Sequence, residues 1–92
     1  MMFAKRLREG VMNGEITSSV RIWQRPHVKV GGCYRLGGGH IEVTAIREIS
    51  FADITPALAR ETGFAGVVEL LKVAKHGPGE RVYLVEFLYR EG

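Results

Sequence analysis

A chain of 92 residues, 46% hydrophobic and 25% charged, has the size and balance of one globular domain, and it is too apolar for a disordered segment. It holds no run near the roughly 20 apolar residues that a spanning helix needs, and its start, Met1-Met2-Phe3-Ala4-Lys5-Arg6, lacks the apolar block of a signal peptide. A single cysteine excludes an internal disulfide and fits a cytoplasmic protein.

The net charge of +3 is unevenly spread. Residues 1–36 hold seven basic and two acidic groups, whereas residues 37–92 hold six basic and eight acidic ones. The basic excess of the first part favours an anionic partner there. A membrane surface is a poorer fit, because no helix pairs a basic face with a broad aromatic one.

Residues 2–13 read as a short amphipathic helix. Phe3, Leu7 and Val11 recur at four-residue spacing, with Lys5, Arg6 and Arg8 off that stripe. Asn13-Gly14 ends it, since both residues tolerate the left-handed conformation. The next segment, Ser18-Ser19-Val20-Arg21-Ile22-Trp23-Gln24-Arg25, alternates like a strand. Val20 and Ile22 are expected on the core face, and Ser19, Arg21, Trp23 and Arg25 on the outer one. Pro26 breaks the strand, since it has no N–H for a ladder.

A loop to Gly32 leads into a strand over residues 33–36, where Cys33 is expected as a small buried thiol. Gly37-Gly38-Gly39 makes a turn. A longer strand spans residues 40–49, and its alternation fails at Ile46, the mark of a bulge. Thr55-Pro56 opens a helix that Gly63 stops. A second helix spans residues 65–75, with Val68, Leu70 and Leu71 on its core face and Lys72 and Lys75 near its negative end. His76-Gly77-Pro78-Gly79 terminates it. The closing strand, residues 81–90, is apolar on both faces apart from Glu86, which predicts a central position. The order implies a single α+β domain over residues 1–92: a small, mostly antiparallel β-barrel, closed or half-closed, with an N-terminal helix and two C-terminal helices before the last strand.

Two guanidinium forks, an indole and a hydroxyl in one row suit a nucleobase and its phosphates, because arginine pairs with phosphate and indole stacks on bases. The plainer reading is an edge strand whose Trp packs under a loop. His27, His40 and His76 lack ligand spacing, so no metal site is expected, and nothing calls for a cofactor. The glycine runs are turns, since neither continues into Gly-Lys-Ser/Thr. Glu61, just before the helix stop, sits poorly with the helix dipole, which hints at another role.

Several segments, taken in order, resemble the ASCH domain, a small PUA-like β-barrel related to RNA-binding modules. Val11-Met12-Asn13-Gly14-Glu15-Ile16-Thr17-Ser18-Ser19-Val20-Arg21 looks like its leading motif, approximately G-x-K-x-x-E-x-R. Val30-Gly31-Gly32-Cys33-Tyr34-Arg35-Leu36 and Ile41-Glu42-Val43-Thr44-Ala45-Ile46 look like its next two strands. Ala59-Arg60-Glu61-Thr62-Gly63-Phe64 resembles its helix-pair junction, and Val82-Tyr83-Leu84-Val85-Glu86-Phe87 its closing strand.

The resemblance implies either RNA binding or, as in small bacterial members, removal of the acetyl group from N(4)-acetylcytidine. The latter use a lysine, a nearby hydroxyl and a glutamate. Here Gly14 and Arg21 match the motif, Ser19 stands at the hydroxyl, and Glu61 is the candidate glutamate. The lysine position is Ile16, which can serve as neither base nor cation, and the aspartate of the next turn is Gly32. Lys29 or Lys5 would have to replace the lysine in space.

RNA or nucleotide binding therefore leads. Its expected contacts are Gly14, Thr17, Ser19, Arg21, Trp23 and Arg25, in a cleft between barrel and helices. The alternative is an amidohydrolase acting on an acylated nucleoside through Ser19 and Glu61. A third reading is a protein-interaction module, with the closing strand and N-terminal helix as surfaces for a homodimer.

Overall fold

The structure, a computed structural model, describes residues 2–74 and 79–91. In chain order it contains α1 (Lys5–Met12), β1 (Ser18–Trp23), β2 (Cys33–Leu36), β3 (Gly39–Ile49), a 3-10 turn (Phe51–Asp53), α2 (Pro56–Glu61), α3 (Val67–Ala74) and β4 (Arg81–Glu91). None of its described helices is long and apolar enough to cross a membrane.

The strands form one four-stranded sheet in the order β1-β4-β3-β2, and every neighbouring pair is antiparallel. The last strand thus lies between two earlier ones. That position explains its composition: Val82, Tyr83, Leu84 and Val85 are all buried, on both sides of the strand. The sheet curls into a half-barrel and stays open, with β1 and β2 as its edges. Full closure, one of the two sequence expectations, does not occur among the described residues.

The β2–β3 hairpin turns through Gly37-Gly38, with Gly37 at φ 58°. Such a φ suits a two-residue hairpin and favours glycine. The expected bulge in β3 is present slightly earlier than the alternation suggests. Val43 pairs with Phe87 and Ala45 with Glu86, so Thr44 is the extra residue. Cys33 is exposed, against expectation. It stands on an edge strand opposite Glu42, while its neighbour Tyr34 faces Ile41 and is half-buried.

Helix α1 starts three residues later than its pattern suggests, so Phe3 precedes it. The expected stripe is nonetheless buried: Phe3, Leu7 and Val11 all join the core. Phe3 meets Phe87 at 5.3 Å between ring centroids. Helix α2 begins as predicted, with Thr55 Oγ1 accepting from the Leu58 N–H at 3.1 Å and Pro56 at the first helical position. Helix α3 buries Leu70 and Ala74 and half-buries Val67 and Leu71. These four follow an i, i+3, i+4, i+7 stripe. Val68 lies off it and is 69% exposed, which corrects its assignment to the core face. Lys75 and His76-Gly77-Pro78, expected at the end of this helix, lie outside the described residues.

Ile16 fills the junction between α1 and the end of α2. A side chain added at Gly10 or Gly63 would meet it, and Gly63 holds φ 97°. Its backbone N–H donates to the Gly10 carbonyl at 3.0 Å. Ile16 is therefore a packing group.

Candidate functional site

Both sides of β1 are covered. Every residue from Ser19 to Trp23 is buried, although alternation alone places Ser19, Arg21 and Trp23 at the surface. Directly opposed residues share a face, so Ser19 lies beside Val85, Arg21 beside Tyr83 and Trp23 beside Arg81. That face receives the N-terminal segment, which explains its burial.

Ser19 and Arg21 line a cavity of about 260 Å³. Its other walls are Met2, Phe3, Ala4 and Leu7 from the N-terminal segment and α1, Val20, Phe64, and Val73 and Ala74 of α3. The cavity thus lies between sheet and helices, apolar except at one wall. The ion pair of Arg6 with Glu69 ties α1 to α3 beside it, and the Arg6 guanidinium stands 5.3 Å from the Phe64 ring centroid.

Arg21 dominates the polar wall. Its Nε donates to Ser19 Oγ at 2.8 Å and its Nη2 to the Met2 carbonyl at 2.5 Å. Its guanidinium carbon stands 5.0 Å from the Phe3 ring centroid. Burial lowers its pKa from the ordinary arginine value to about 10, so it remains charged at neutral pH. It forms no ion pair with a carboxylate among the described residues. A buried charge without a counter-ion is unfavourable, and an anion or a set of acceptor oxygens in the cavity relieves that cost.

The remaining sequence candidates are dispersed. Gly14 is exposed and turns the chain at φ 84°. Thr17 is exposed too, and its carbonyl accepts from the Phe87 N–H at 2.9 Å. Neither lines the cavity. Arg25 is exposed on the loop after β1. The Trp23 indole is only 4% exposed. It stacks on His27 at 4.7 Å and 17° and meets Tyr83 at 6.0 Å. An indole packed under a loop at a sheet edge matches the plainer of the two sequence readings.

Glu61 lines a separate hollow of about 390 Å³, together with Arg47, Asp53, Thr55, Leu58 and Leu84. In that hollow the Ser50 N–H donates to Asp53 Oδ2 at 2.8 Å. This bond and the Ser50 hydroxyl, with the charge of Arg47, hold the Asp53 carboxyl below its ordinary value. Ser19 and Glu61 are thus in different hollows, and no lysine among the described residues lines the one with Ser19.

Phe64 and the cavity-facing part of α3 carry no polar chemistry, so sequence reasoning had no reason to select them. Phe3 was legible only as a helix-stripe residue. His27, which lacks metal-ligand spacing in the sequence, places its ring over Trp23. No protein-family model, curated protein or solved structure matches the chain.

Proposed function

We propose that this protein is an RNA- or nucleotide-binding module of the PUA-like, ASCH type, with its ligand in the cavity between sheet and helices. The observation that carries the proposal is the Arg21 guanidinium, buried and without a carboxylate partner among the described residues, on the wall of an otherwise apolar cavity. Apolar walls with a few convergent polar groups are the usual make-up of a small-ligand site. A nucleobase offers the complement: a flat apolar body with carbonyl acceptors at its edge, joined to a phosphate. Arg21 donates to the acceptors or the phosphate, and the Ser19 hydroxyl can donate or accept beside it.

Hydrolysis of an acylated nucleoside needs an activated nucleophile and a proton relay. The Ser19 hydroxyl accepts from Arg21, Glu61 lines another hollow, and Ile16 is packed against glycines. The geometry therefore favours binding over turnover.

Calorimetric titration with short single-stranded RNA and with AMP tests the proposal. Saturable binding is expected to the wild-type protein. Arg21→Met should weaken it by about tenfold or more, the usual loss for a hydrogen bond to a charged group. No saturable binding by the wild type, or equal binding by the variant, sinks it. Incubation with N(4)-acetylcytidine checks the alternative, and release of cytidine at a steady rate would reinstate it.

A further inference from the structure

We propose that His27 is a base-stacking platform, so that the protein takes two successive nucleotides of single-stranded RNA, one in the Arg21 cavity and the next on His27. The inference rests on the nucleotide-binding reading above and specifies its substrate as an oligonucleotide. The imidazole lies nearly parallel to the Trp23 indole, at 4.7 Å and 17°. Trp23 is buried and His27 is exposed. The indole thus backs the imidazole on one side and leaves the other side open. A flat ring with one free face binds bases of any identity, since each has a π face.

The platform is held in place. Val28, next to His27, is buried. The Lys29 N–H donates to Tyr34 Oη at 3.2 Å. Gly31 donates to the Val43 carbonyl at 2.8 Å, and Val43 donates to the Gly32 carbonyl at 3.0 Å. These bonds fix the loop from Val28 onward to the sheet, and a ring already ordered loses little freedom when a ligand arrives.

The surrounding charge suits a phosphate. Arg25 and Lys29 flank His27 in sequence, both exposed and neither in an ion pair among the described residues. Arg81, opposite Trp23, is already engaged: a hydrogen bond with the Tyr83 side chain and the charge of Glu48 raise its pKa.

Arg21 and Trp23 are alternate residues of one strand, so they share a side and lie roughly 7 Å apart. Stacked nucleotides in one strand are about 3.4 Å apart. A strand that puts one base in the cavity and the next on His27 parts those bases, which a single strand allows and a duplex resists.

Binding of AMP and of a short single-stranded RNA to His27 variants decides the matter. His27→Ala should weaken RNA binding by about tenfold or more and leave AMP binding unchanged. His27→Phe should retain RNA binding. His27→Leu keeps Trp23 covered without a π face, so it separates stacking from packing and should behave as His27→Ala does. RNA binding undiminished in the Ala and Leu variants, or AMP weakened as much as RNA, overturns the two-site proposal and leaves the cavity reading standing. Failure of wild-type protein to bind either probe ends both.

Discussion

Arg21 can be a structural clamp or the core of a site, and its environment distinguishes the two by stability. It bonds to Ser19 and to the Met2 carbonyl, which a clamp requires. It is also desolvated, with its pKa lowered to about 10, and a buried charge is often replaced by an apolar group at no net loss. Arg21→Met is therefore expected to hold or raise the melting temperature while it weakens ligand binding. A loss of stability of more than about 2 kcal/mol would mark a clamp. The pH dependence has a definite sign. Because the folded-state pKa lies below that of the unfolded chain, the folded state disfavours the charged form. The cost is complete below about pH 10 and fades from there toward the unfolded-state pKa. Denaturant titrations of wild type and Arg21→Met should show the wild type gaining relative stability above pH 10. A constant difference across that range would mean the guanidinium is not desolvated.

Local signals control the short elements, and their effects are correspondingly sharp. Helix α2 has six residues, too few to hold without its Thr55 cap and its packed Ala59. Thr55→Ala should cost about 1 kcal/mol, or roughly 4–8 °C in a domain of this size, with Thr55→Ser close to neutral. Thermal melts monitored by circular dichroism measure this. Gly79 carries a different constraint. A side chain there would meet the Trp23 backbone, so Gly79→Ala should push the entrance of β4 away from β1 and lower the melting temperature. The same contrast between local and distant causes explains what could be read in advance. The Thr55-Pro56 cap, the glycine hairpin, the β3 bulge and the doubly apolar β4 depend on neighbours in sequence or on one strand's own faces. The burial of Ser19, Arg21 and Trp23 depends on Met2, Phe3, α3 and the His27 loop, which alternation within β1 cannot report. Alternation singles out Ser19, Arg21 and Trp23 but places them in the wrong environment, because it assumes that one face of an edge strand meets water. Val68 shows the corresponding ambiguity in a short helix, where three adjacent apolar residues allow more than one stripe.

At the scale of the molecule, the basic excess of residues 1–36 is partly used within the fold. Arg6 pairs with Glu69, and Arg8 Nε donates to the Phe3 carbonyl at 3.4 Å. Both contacts hold α1 and its leading segment over the cavity. Arg21, Arg25 and Lys29 make no ion pair among the described residues, and they lie on β1 and the loop that follows it. On the proposed reading, these cations would draw an anionic strand along β1 from the cavity toward His27. Three phosphate contacts on a single strand give a slope of about −2 when the logarithm of the binding constant is plotted against that of salt concentration. Fluorescence titrations of Trp23, the sole tryptophan, can follow RNA binding over a range of salt. A slope near −2 that becomes shallower by about one in Arg25→Ala fits a strand held by these three groups. A much steeper slope would bring the cations of α1 into contact with RNA, along a surface at a distance from His27. A slope near zero would remove phosphate recognition and leave the cavity to an uncharged ligand, for which Arg21 would act only as a neutral-edge donor.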